Sequence, residues 1–64
     1  MKLVKVSEHR IVDAKSGKQW ERQGRYLVMW TPADAQKDDD TVSLKLKDEE
    51  ADVLWAWLLS NVEG

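Results

Sequence analysis

Residues 41–62, TVSLKLKDEEADVLWAWLLSNV, decide the fold. Residues 41–47 alternate, with Val42, Leu44 and Leu46 set against Thr41, Ser43, Lys45 and Lys47. A period of two places the three aliphatics on one face, the mark of a half-buried strand. At Asp48 the period changes. Ala51, Leu54, Trp55, Leu58 and Val62 recur at helical spacing, with Leu59 at the edge of their face. At about 100° per residue these side chains form one apolar stripe, which predicts a helix over 49–62. Asp48 is expected as its N-cap, accepting from the unpaired N–H groups of the first turn. Glu49 and Glu50 then meet the positive end of the helix dipole.

Upstream of this unit, residues 32–40 read as a polar loop that finishes in Asp38-Asp39-Asp40. Residues 19–31 read as a strand, with Trp20, Tyr26, Val28 and Trp30 on one parity and Leu27 and Met29 on the other. Pro32 ends it, because proline lacks the N–H that a ladder needs. Lys15-Ser16-Gly17-Lys18 is a turn signal. Residues 3–14 read as a further strand, carrying Val4, Val6 and Val12 on one parity. Glu8 and Arg10 interrupt it, which implies a bulge or an exposed stretch. The expected fold class is therefore α+β. A three-stranded antiparallel sheet, made of a long N-terminal hairpin and one further strand, packs against one C-terminal helix in the order βββα. Residues 1–64 form a single small domain.

The hairpin register decides which side chains share a face, since a slip of one residue exchanges the faces. A two-residue Ser16-Gly17 loop would place Val4 opposite Met29 and Val6 opposite Leu27. A three-residue Lys15-Ser16-Gly17 loop, with glycine in the left-handed region, places Val4 opposite Val28, Val6 opposite Tyr26 and Val12 opposite Trp20. The second choice collects the valines and aromatics on one side and suits the turn chemistry of glycine. Strands of this length span roughly 40 Å, against roughly 21 Å for the helix. The hairpin tip, with Val12, Lys15, Lys18, Trp20 and Arg22, is thus expected to project beyond the core as a basic contact element.

Composition narrows the function. The chain has 64 residues, 42% hydrophobic and 34% charged, with four Trp, one His and no Cys. A chain of this size buries only about 60% of its unfolded surface, and no disulfide or zinc cluster supplements the core. Oligomerisation or a partner is the remaining support. The longest apolar run, Val53 to Leu59, is far short of the ~20 residues that cross a bilayer. No apolar leader follows Met1-Lys2. A complete short gene product in the cytoplasm, with no membrane role, is the expectation.

Charge is split along the chain. Residues 1–30 carry seven bases and three acids, a balance of +4, whereas residues 31–64 carry three bases and nine acids, a balance of −6. Such a dipole can orient an encounter with a charged partner.

No catalytic constellation stands out, so an enzyme is not expected, nor a cofactor or small-molecule substrate. His9, the single histidine, has no identifiable nucleophile beside it. The glycines Gly17, Gly24 and Gly64 are too far apart for a phosphate loop. Asp38-Asp39-Asp40 lacks the alternating ligands of a calcium loop and reads as a solvated acidic stretch, so no metal is expected.

The tryptophans point to binding. Trp30 and Trp55 fit the core. Trp57 lies roughly 160° from Trp55 around the helix, one turn after Val53, so the two form a second apolar strip. Exposed strips of this kind mark contact sites, and tryptophan is frequent in binding hot spots. The leading expectation is a non-enzymatic protein-interaction module, an inhibitor, an adaptor or a homodimer, that uses Val53 and Trp57, with Trp20 at the hairpin tip. The alternative is a nucleic-acid-binding module using Lys5, Lys15, Lys18, Arg22 and Arg25, with aromatics for base stacking. An isoelectric point near 5.2 weighs against it.

Overall fold

The computed structural model describes residues 2–35 and 42–63. Five strands form one antiparallel meander in chain order: β1 (Leu3–Ser7), β2 (Arg10–Asp13), β3 (Gln19–Gln23), β4 (Tyr26–Trp30) and β5 (Leu44–Lys47). A short helix α1 (Pro32–Ala35) follows β4, and helix α2 (Asp48–Ser60) follows β5 without a linker. The α+β class, the antiparallel pairing and the C-terminal helix hold. The count of three strands does not.

Each of the two long strands expected from the sequence is a tight hairpin. The first folds back at Glu8-His9, so β1 pairs with β2 and Val4 faces Val12. The polar residues that interrupt the apolar pattern form the turn itself. The register shifts between Lys5 and Ser7, leaving Val6 exposed at a bulge. The second folds back at Gly24-Arg25, where Gly24 has φ 60. Glycine enters this left-handed region without the side-chain clash other residues meet. The Arg22 Nε donates to the Gly24 carbonyl at 2.8 Å and braces the turn.

These turns overturn the hairpin register. Ile11 faces Trp20, and Val12 faces Gln19. The β2–β3 connection runs from Ala14 to Lys18 and contains Gly17 at φ 81. Its closing bonds are Gly17 N–H to the Asp13 carbonyl at 2.7 Å and Asp13 N–H to the Lys18 carbonyl at 2.8 Å. The projecting tip disappears with the long hairpin, and Trp20 is buried, 8% exposed.

Cross-strand neighbours share a face. Ile11, Trp20 and Met29 stand side by side, as do Leu27 and Leu46. The core joins Leu3, Ile11, Trp20 and Leu27 to Ala51 and Leu58 of α2, with Met29, Leu46, Leu54, Trp55 and Val62 packed around them. Ala51, Leu54, Trp55 and Leu58 of the stripe read from the sequence meet the sheet, but the helix ends at Ser60, so Val62 reaches the core from beyond it, in a bridge to Leu3. Val4, Val12, Tyr26, Val28 and Trp30 belong to the face opposite the helix, where only Val28 is buried as expected. The C-terminus returns to the sheet edge, where Val62 bridges Leu3 in parallel and Glu63 N–H donates to the Leu3 carbonyl at 2.9 Å.

Two polar arrangements tie the ends of the sheet. Asp13 is buried at the edge of the core. Its carboxylate accepts from Lys2 N–H at 3.1 Å, Lys15 N–H at 3.0 Å and the Ser16 hydroxyl at 2.8 Å. Those bonds, the Ser16 hydroxyl foremost, lower its pKa from 3.8 to about 2 against the opposing effect of burial. At the other end Asp48 does not cap α2. It adopts φ 54, and its carboxylate takes both arms of Arg25 at 2.9 Å. The residue before it, Lys47, makes no side-chain cap bond. Asp48 therefore stitches the β3–β4 turn to the start of the helix.

Candidate partner-binding surface

Helix α2 presents two apolar sides, because its composition exceeds what one sheet face can cover. Ala51 and Leu58 are fully buried, but Val53 is 65% exposed and Trp57 is 48% exposed. Val53 and Trp57 lie four residues apart, so their side chains are neighbours on the helix surface. Leu54 borders them at the edge of the core. Glu49 and Glu50 continue the same side one turn earlier, and the five residues line a shallow groove that is mostly apolar. Leu59 is exposed as well. A β-branched valine is a poorer helix former than alanine, so its exposure here brings the helix no benefit.

The charges around this groove fall into two kinds. Asp52 receives Arg22 Nη2 at 2.6 Å, and Asp48 receives Arg25. Glu49 and Glu50 have no ion-pair partner among the described residues. The groove therefore has an apolar floor and an uncompensated acidic end.

The opposite side of the molecule carries the sheet face that α2 does not cover. The pairs Arg10–Glu21, Gln19–Trp30, Glu21–Val28, Val28–Lys45 and Tyr26–Lys47 place all of these residues on it. Arg10 Nη2 pairs with Glu21 at 2.7 Å while its guanidinium carbon sits 5.2 Å from the Trp30 ring centre. Lys45 Nζ lies 4.5 Å from the centre of the Tyr26 ring. Cations over aromatic faces at such distances are held by the ring quadrupole. Hydrogen bonds from Gln23 and Arg10 lower the Glu21 pKa, so it is anionic near neutral pH.

The residues singled out in the sequence are thus scattered. Val53 and Trp57 adjoin each other. Trp20 lies in the core, away from any contact role at a tip. Lys5, Lys15 and Lys18 are exposed, but Arg22 and Arg25 are engaged by Asp52 and Asp48 of α2. The basic cluster proposed for nucleic acid is therefore divided. Arg10, Lys45 and Lys47 went unnoticed in the sequence, although the parity of Tyr26, Val28 and Trp30 pointed to the face they share. His9 is exposed in the β1–β2 turn. Asp38-Asp39-Asp40 lies outside the described residues. Among those described, no group of acidic or histidine residues could hold a metal ion, and no helix is long and apolar enough to cross a membrane. Comparison with protein-family models, with curated proteins and with solved structures finds no match.

Proposed function

We propose that this protein is a binding module whose α2 groove takes an apolar protein segment bearing positive charge. The observation that supports this reading most directly is the joint exposure of Val53 and Trp57 beside Glu49 and Glu50, two acids without partners among the described residues. Burying a valine and a tryptophan against a partner would remove apolar surface from water, at about 25 cal/mol per Å². The acids would select the sign of the partner and speed its approach. The dispersal of Arg22 and Arg25 into ion pairs with α2 makes the nucleic-acid alternative the weaker reading.

Titration with a cationic amphipathic peptide of leucine and lysine tests it. The wild-type protein should show a saturable blue shift of tryptophan emission. Trp57→Ala should remain folded and bind roughly thirtyfold more weakly, corresponding to about 2 kcal/mol at a hot spot. Equal affinity of the two proteins would refute the reading.

A further inference from the structure

We propose that the cationic segment taken by the α2 groove is the open sheet face of a second copy of this chain, so that the protein associates head to tail. The proposal rests on the reading of α2 as a protein-binding helix and names its partner. It starts from charge. The groove offers Glu49 and Glu50 beside Val53 and Trp57. The sheet face offers Lys45 and Lys47, which make no ion pair among the described residues, beside Tyr26, Val28 and Trp30. The acid of that face, Glu21, is already held by Arg10 and Gln23. The other two acids of the first turn of α2 and the position after it, Asp48 and Asp52, are already held by Arg25 and Arg22. That leaves Glu49 and Glu50 on one surface, and Lys47 with Lys45, which lies over the Tyr26 ring, on the other.

Layer architecture leaves room for the same pairing. An antiparallel sheet commonly takes a helix on one face only, so its second face is free for a neighbour. Here one side has its own helix, and the other carries half-buried Val4, Val12, Tyr26 and Trp30 around a Val28 already buried by its neighbours. A neighbour's α2 laid on that side would set Trp57 among Tyr26 and Trp30 and bring Glu49 and Glu50 to Lys45 and Lys47. Aromatic groups gathered in this way attract one another beyond the area they bury. The two patches differ, so the contact is heterologous. Each union leaves one groove and one sheet face unused, and the assembly grows as an open chain unless rotation closes it into a ring.

Sedimentation velocity across micromolar to millimolar protein tests this with two blocked variants. Trp57→Ala blocks the helix side, and Lys45→Glu with Lys47→Glu blocks the sheet side. The wild type should form species of increasing size, weakened at 1 M salt, where the Debye length is about 3 Å. Each variant alone should sediment as a monomer. Their equimolar mixture should form a one-to-one dimer, because one supplies an intact groove and the other an intact sheet face. Circular dichroism reports whether each variant is folded. Glu49→Gln with Glu50→Gln gives a milder helix-side block that should mix with the sheet-side variant in the same way. A wild-type protein that stays monomeric overturns the proposal. So does association that survives the sheet-side block but not Trp57→Ala, which would mean a symmetric helix-to-helix contact. Either result leaves the reading of α2 as a binding helix to the peptide titration, which decides it separately. Association that survives Trp57→Ala also overturns the proposal.

Discussion

Two tryptophans two residues apart have opposite fates in this chain, and the helical period is the reason. Trp55 packs on the core, whereas Trp57 is on the far side. Trp55→Ala is expected to cost about 3–5 kcal/mol, near the whole stability of so small a domain. Trp57→Ala should shift a urea midpoint far less. Matching midpoints for the two variants would place Trp57 in the core. Leu58, fully buried, should cost about 2–5 kcal/mol on truncation to Ala, while Ser60→Ala should stay within about 0.5 kcal/mol. This contrast was legible from the sequence because a helix fixes side-chain direction from spacing alone. The fates of Trp20 and Trp30 were not, because in a strand the face depends on register, and register depends on turns. Asp13 was equally hidden, since its three donors come together only when the β2–β3 turn closes. Its folded pKa is lowered from 3.8 to about 2, so the folded state binds the proton more weakly than the unfolded chain. The stabilisation is present in full above pH 3.8 and disappears as the pH falls through about 2. Urea melts between these limits should show a shallower acid decline for Asp13→Asn than for the wild type. Parallel declines would assign the acid sensitivity to other groups.

At the scale of elements, the sheet is made by its turns. The five short strands were read as three because Glu8-His9 and Gly24-Arg25 carry no proline and little of the asparagine-glycine signature that marks a two-residue hairpin. The strand-to-helix unit, by contrast, was plain in its change of period, although the strand begins only at Leu44, and Val42 and Leu44 are exposed rather than half-buried. Even there, Asp48 is not the cap that its position suggests. Its carboxylate is drawn off by Arg25, and ion pairs to residues 23 positions away leave no local sequence trace. Gly17 and Gly24 both have positive φ, but their surroundings differ. A Cβ on Gly24 would meet nothing within 4 Å, whereas one on Gly17 would lie 2.8 Å from Pro32 Cγ. Gly24→Ala should therefore cost about 1–2 kcal/mol from backbone strain alone. Gly17→Ala should cost more, because the β2–β3 turn and Pro32 must also move apart. Thermal melts of the pair check the order, and a smaller loss at Gly17 would show that Pro32 yields freely.

Among the described residues, opposite charges gather on the two faces of the sheet. The acids of α2 lie on one side of the sheet, and Arg10, Lys45 and Lys47 on the other. This separation follows the two faces of the sheet and not the two halves of the chain, where the sequence put its split. Arg22 and Arg25, counted with the basic half, cross to the helix side and neutralise Asp52 and Asp48. Those exposed pairs contribute little stability, about 0–1 kcal/mol each, so a few buried side chains hold the domain together. A protein so placed gains noticeably from any partner that binds only the folded form. At a concentration ten times the dissociation constant the gain is about 1.4 kcal/mol. For a domain of this size each kcal/mol moves the melting temperature by about 4–8 °C. If copies of the chain supply the partner, the melting temperature of the wild type should climb by several degrees from dilute to concentrated solution. That of Trp57→Ala should remain level, and so should that of Lys45→Glu with Lys47→Glu. Scanning calorimetry over this range measures the slope directly. A wild-type melting temperature independent of concentration would mean that folding in this chain is complete without self-association.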